Sequence, residues 1–223
     1  MEMVSPRAQA RDSLLELYRK QTEILGRKPS DEEFFPVNLK KLAQLLLPEW
    51  KMLENQDLLH IDVSTPISGK ADFEQKIIYL DAVAEPRRRY TAAHELGHVF
   101  LKHGGCRLRR DYGPRSILRP DRLEPPDATE VNQEKKANAF AAELLMPERT
   151  VLREFRRRFG VDRLWIKSSQ AQLVLQSTYN NAADAATQLA TSRYPSNSRP
   201  LTDFFGVSAS AMRIRLLELS LVH

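Results

Sequence analysis

Cysteine is nearly absent. The one cysteine in 223 residues is Cys106, so no disulfide can close within the chain, which fits a reducing compartment. No stretch approaches 18 uninterrupted apolar residues, which excludes an apolar membrane-spanning helix. The opening MEMVSPRAQARDSLLELYRK lacks the apolar core of a secretory signal. Neither an internal repeat nor a low-complexity tract is visible. Charge of one sign does not dominate: 34 Lys and Arg stand against 29 Asp and Glu, a net charge of +5. That balance permits a nucleic-acid or acidic-protein partner without requiring one. The expectation is a cytoplasmic protein with no membrane association. With 42% hydrophobic residues, the chain has enough apolar surface to build a core.

Histidine is scarce too, and its distribution is informative. Of five histidines, three fall in AAHELGHVFLKH, residues 92–103. The surrounding patterns predict helices over 10–26, ended by Gly26, and over 38–47, with Asn38 as cap and Pro48 beyond the end. The segment 58–81 has β-branched residues, a Pro and a Gly between two runs, and the alternation of Ile78 and Leu80; it reads as two or three antiparallel strands. The histidine segment, 91–103, reads as a helix stopped by Gly104 and Gly105. A proline- and arginine-rich stretch, 106–126, reads as a long loop of the kind that is functional or mobile. A helix is expected over 127–147, with Asp127 and Glu130 in capping-box spacing. ERTVLREFRRRFG reads as a basic helix, and the segment 170–190 as a poorly patterned one with a break expected at Asn180–Asn181. The end, 201–222, reads as a short helix, a turn at Gly206, and a second helix capped by Ser208. The fold class is α+β: mostly helical, with a small antiparallel sheet before the histidine helix and a helix-turn-helix-like C-terminal segment.

His94 and His98 are four residues apart, which on a helix places both imidazoles on one face, one turn apart. Two ring nitrogens so placed can share a metal ion. Glu95 is rotated by about 100° around the axis, which suits it to accept a proton from water rather than to bind the same ion. The bland alternative is a buried helix carrying two incidental histidines. A catalytic zinc needs a third protein ligand and an open position. His103 lies five residues past His98, and Leu101 stands where a metzincin would have glycine. On one continuous helix His103 points away, so it reads as a helix-end residue favoured by the dipole. Glu134, on the next helix, is the better candidate, with Asn138 one turn on to hydrogen-bond a ligand imidazole. The competing reading of Glu134 is a surface carboxylate paired with a lysine. Glu143, half a turn around the helix from Glu134, reads as solvated.

RRRYTAAHELGHVFLKH followed by EKKANAFAAELLMP resembles the ImmA/IrrE-type zinc metallopeptidases of bacteria and mobile elements. The likeness is best over residues 36–155 and extends to FGVSASAMRIRLLELSLV. It implies a metallopeptidase domain with N-terminal helices over 1–160 and a C-terminal helical segment over 161–223. It implies Zn²⁺ held by His94, His98 and Glu134, Glu95 as general base, and a helix-turn-helix transcriptional repressor as protein substrate. An oxyanion donor is not placed; Tyr90, Tyr112 and the loop arginines are candidates. Two other functions stay open. One is a DNA-binding regulator using Arg213, Arg215 and the basic helix for a weak phosphate contact. The other is a toxin–antitoxin or adaptor component with a silent site.

Overall fold

The computed structural model describes residues 5–56, 67–81, 85–103, 107–110, 128–196 and 198–223. His60, Cys106, Tyr112 and Asp127 lie outside them, as does most of the 106–126 stretch. In chain order the elements are helices α1 (Pro6–Leu25), α2 (Asp31–Phe34) and α3 (Leu39–Leu46), strands β1 (Lys51–Gln56), β2 (Ile67–Asp72) and β3 (Ile77–Asp81), helix α4 (Glu85–Phe100), strand β4 (Arg107–Arg110), and helices α5 (Ala128–Leu145), α6 (Glu148–Phe159), α7 (Ser169–Leu175), α8 (Ala182–Thr191), α9 (Leu201–Phe205) and α10 (Ala209–Glu218). Two compact units form. One comprises residues 1–28 and 38–144, the other 29–37 and 145–223.

In the first unit, α1 begins four residues earlier than the apolar periodicity predicts. Pro6 sits in the first turn, where its missing N–H costs nothing, and the Ser5 hydroxyl accepts from the Ala8 N–H at 3.2 Å. Gly26 ends the helix in the left-handed region, φ 66°. Ala10, Leu14 and Leu17 form its buried stripe. Helix α3 starts as expected: the Asn38 side chain accepts from the Lys41 N–H at 2.9 Å.

The sheet order is β1-β3-β2-β4. The expectation of a purely antiparallel sheet is corrected here. Strands β2 and β3 form an antiparallel hairpin, and β4 adds antiparallel to β2, but β1 pairs with β3 in parallel. Strands β1 and β2 do run in opposite directions; β3 is inserted between them, so β1 acquires a parallel neighbour. The Asp72 carboxylate shapes the hairpin turn by accepting from the N–H groups of Glu74 and Gln75, at 3.1 and 3.0 Å. Ile78 and Leu80 point inward, as their alternation predicts. Helix α4 packs on β2 and β3. Residues Thr91–Val99 are all buried, so this stretch is enclosed on every side rather than amphipathic.

The second unit is helical around Phe35, Phe155, Phe159, Phe204 and Phe205. Asn181 does interrupt the 170–190 segment, because its side chain caps α8 by accepting from the Asp184 N–H at 2.8 Å. Helices α9 and α10 form the expected helix–turn–helix-like pair, with Gly206 left-handed and Ser208 as cap. The arginines give this pair a structural role. Arg215 is 1% exposed; its guanidinium donates to the Met146 carbonyl at 3.0 Å and faces Glu218 at 3.0 Å. On α6, Arg157 and Arg158 share Glu154, Arg156 faces Asp162, and Arg153 faces Asp31. Arg215, one of the two α10 arginines on which a DNA contact would rest, is enclosed and already held, so it is not available to phosphate.

Candidate metal centre

Four side chains on two helices define the centre. Helix α4 supplies His94 and His98 from one face, with ring centroids 4.8 Å apart. Helix α5 supplies Glu134 and Asn138. The helices meet closely because α4 has no side chain at the crossing. A Cβ added at Gly97 would lie 3.1 Å from the Ala137 carbonyl oxygen, 3.2 Å from the Ala137 Cα and 3.2 Å from Phe140. Gly97→Val is therefore expected to push the helices apart. We expect a destabilisation of about 1–3 kcal/mol, read as a fall in the denaturant midpoint; an unchanged midpoint would mean the crossing tolerates separation.

The two Nε2 atoms are 3.0 Å apart. Nε2 of His94 is 3.1 Å from one Glu134 oxygen, and Nε2 of His98 is 3.2 Å from the other. The three donors converge on one point. Both histidines are at most 1% exposed, while Glu134 keeps 37% of its side chain accessible, so the point has a solvent side. Burial alone would raise the Glu134 carboxyl. Hydrogen bonds from His94 and His98 and the charge of those rings outweigh it and hold the group well below the ordinary carboxylate range. Two imidazoles and a carboxylate fit zinc in kind and number. They fit in spacing too: tetrahedral bonds of about 2.0–2.1 Å put ligand atoms about 3.3 Å apart, against the 3.0–3.2 Å found here.

Nδ1 of His94 lies 3.0 Å from the Asn138 side-chain oxygen, the contact its position one turn beyond Glu134 suggests, although Asn138 is itself exposed. Glu95 points elsewhere, as the helical period requires. It is fully buried and faces β2, where a Cβ at Gly69 would come 2.5 Å from Thr91 and 3.3 Å from a Glu95 carboxylate oxygen. Gly69 thus leaves room for that carboxylate, a role no sequence pattern marks. Tyr90 sits half-buried on α4 just before the histidines.

Two expectations fail. Glu143 is not solvated: it is 1% exposed and accepts from Arg11 at 2.8 Å. On the face of α5 opposite Glu134, Glu143 meets Arg11 of α1 rather than water. His103 does not point away from the other histidines. It is buried, 3.0 Å from His98, because α4 ends at Phe100 instead of running on to it.

An HExxH pair on an enclosed helix, completed by a carboxylate from the next helix beside a small mixed sheet, is the architecture of a metallopeptidase. Residues 53–217 match the peptidase family described as IrrE N-terminal-like domain, and the chain belongs to that family as a metallopeptidase of the IrrE/ImmA type. No curated protein matches the chain. Among the described residues, no helix is long and apolar enough to cross a membrane.

Proposed function

We propose that the chain is a zinc-dependent endopeptidase that cleaves a helix-turn-helix transcriptional repressor in the cytoplasm and so derepresses the repressed genes. The observation that carries the enzymatic part is the meeting of His94, His98 and Glu134 at 3.0–3.2 Å. The substrate class rests on the resemblance of RRRYTAAHELGHVFLKH and EKKANAFAAELLMP to repressor-cleaving peptidases; the family match supports a peptidase.

Bound by these three residues, zinc would supply a Lewis acid that polarises a peptide carbonyl and brings the pKa of its water near 7. Glu95 takes the proton from the attacking water and hands it to the departing amide nitrogen. Its burial keeps bulk water from competing for that proton. Asn138 orients the His94 ring by accepting from its Nδ1–H, which leaves the Nε2 lone pair for the ion that His94, His98 and Glu134 would share. Because Asn138 is exposed, water can partly replace it. Asn138→Ala should therefore weaken zinc binding by about tenfold, the low end of the usual range for such partners. Competition with a chelating dye measures this, and unchanged affinity would remove Asn138 from the role.

The test of function is incubation of the zinc-loaded chain with purified helix-turn-helix repressors. A discrete cut that a chelator blocks is expected. Intact repressors beside a chain that hydrolyses other peptides would overturn the substrate assignment; a zinc-loaded chain that hydrolyses nothing would overturn the peptidase assignment.

A further inference from the structure

His98 is held from behind. Its Nδ1 lies 3.0 Å from Nδ1 of His103, the rings meet edge to face with centroids 5.0 Å apart, and His103 is only 7% exposed. The contact follows from how α4 ends. The Lys102 N–H donates to the Val99 carbonyl at 3.1 Å, and the His103 N–H donates to the His98 carbonyl at 3.0 Å. Lys102 between them is left-handed, φ 54°. These are the two bonds of a Schellman ending, which folds the residue after the left-handed one back over the last full turn. Such endings usually bring two apolar side chains together. Here the same fold-back brings two imidazoles together.

We infer that His103 is a positioning residue for metal binding: it accepts a hydrogen bond from the Nδ1–H of His98 and so keeps the Nε2 lone pair of His98 turned toward His94 and Glu134. The inference rests on the reading of His94, His98 and Glu134 as a metal site. A neutral imidazole has one donor nitrogen and one acceptor. If Nε2 of His98 gives its lone pair to a cation, Nδ1 must carry the hydrogen. At 3.0 Å that hydrogen meets Nδ1 of His103, which must then be the acceptor, with the His103 hydrogen on its own Nε2. The two ligand rings are thus held differently, His94 by an exposed amide and His98 by a buried ring. Water replaces a buried partner less readily, so His103 should matter more than Asn138.

Two substitutions separate positioning from packing. His103→Leu keeps an apolar group at the fold-back position and removes the acceptor; His103→Asn restores an acceptor oxygen close to where Nδ1 stood. Zinc affinity is measured by chelator competition on the full chain, with thermal unfolding of the metal-free forms as a check on folding. We expect the leucine variant to bind zinc about 30- to 100-fold more weakly and the asparagine variant to recover to within about threefold of wild type. Nitrogen-15 spectra of the zinc-loaded wild type should show Nδ1 of His98 protonated and Nδ1 of His103 bare, and this decides the matter if the leucine variant does not fold. A folded leucine variant with wild-type affinity, or a protonated Nδ1 on His103, overturns the inference and leaves the metal site standing. A wild-type chain that binds no zinc overturns the metal site and the inference with it.

Discussion

Replacing Glu95 with glutamine should abolish peptide hydrolysis while leaving the metal content unchanged. The two side chains are nearly the same in shape, so the packing of α4 against β2, where Gly69 leaves room beside the Glu95 carboxylate, is preserved. The change is chemical: an amide cannot accept a proton from water at any working pH. A positioned general base contributes roughly 10²–10⁴ in rate, and kcat/KM should fall by at least that much. KM should move little, because Glu95 is fully buried and serves the proton rather than the grip on substrate. Metal content is the internal control. His94 and His98 meet Glu134 on a face of α4 about 100° around the axis from Glu95, so zinc should stay bound. Near-normal turnover of the metal-loaded variant would remove Glu95 from its role. Loss of both zinc and activity would mean that Glu95 helps to hold the metal.

How legible this centre was in the sequence depends on how far each contact reaches along the chain. His94 and His98 needed only the helical period. Glu134 and Asn138 needed one further step, a second helix with a small-residue face, and Ala137 against Gly97 shows how closely that face lets the helices approach. His103 failed for a local reason. The reading assumed one helix through residue 103, and the ending at Phe100 turned on Lys102 adopting a left-handed φ, which lysine seldom does and composition does not signal. Glu143 failed for a distant one: its partner Arg11 lies 132 positions away, and no periodicity within α5 reveals what covers its far face. The sheet failed at the same kind of point. The alternation in β3 was readable, but the insertion of β3 between β1 and β2 is a matter of tertiary arrangement. In the C-terminal pair the elements and caps were legible while the direction of Arg215 was not, because one helical arginine looks like another until its surroundings are known.

Zinc should raise the thermal stability of the wild-type chain, and His94→Ala and Glu134→Gln should each remove that effect. A ligand that binds the folded state alone stabilises it by RT ln(1 + [L]/Kd), about 2.7 kcal/mol at a hundredfold excess over Kd. For a chain of this size each kcal/mol moves the midpoint by about 2–4 °C, so a shift of about 5–10 °C is expected in the transition of the unit that holds the site. Structural zinc sites bind with about 10–16 kcal/mol through four ligands. One protein ligand is then worth roughly 2.5–4 kcal/mol, and its loss weakens binding by about 10²–10³-fold. At the same zinc concentration the variants would sit near or below their Kd, and the shift would nearly vanish. The two substitutions differ in a useful way. His94→Ala also empties volume in a fully buried position and should lower the metal-free midpoint through the cavity it leaves. Glu134→Gln keeps size and an oxygen at a partly accessible position, so its metal-free midpoint should stay close to wild type. The decisive quantity is the difference between zinc-loaded and chelator-treated midpoints within each protein. If Glu134→Gln responds to zinc as strongly as wild type, the carboxylate is not a ligand and the third donor must be sought elsewhere; if His94→Ala does so too, the three side chains do not hold the ion at all.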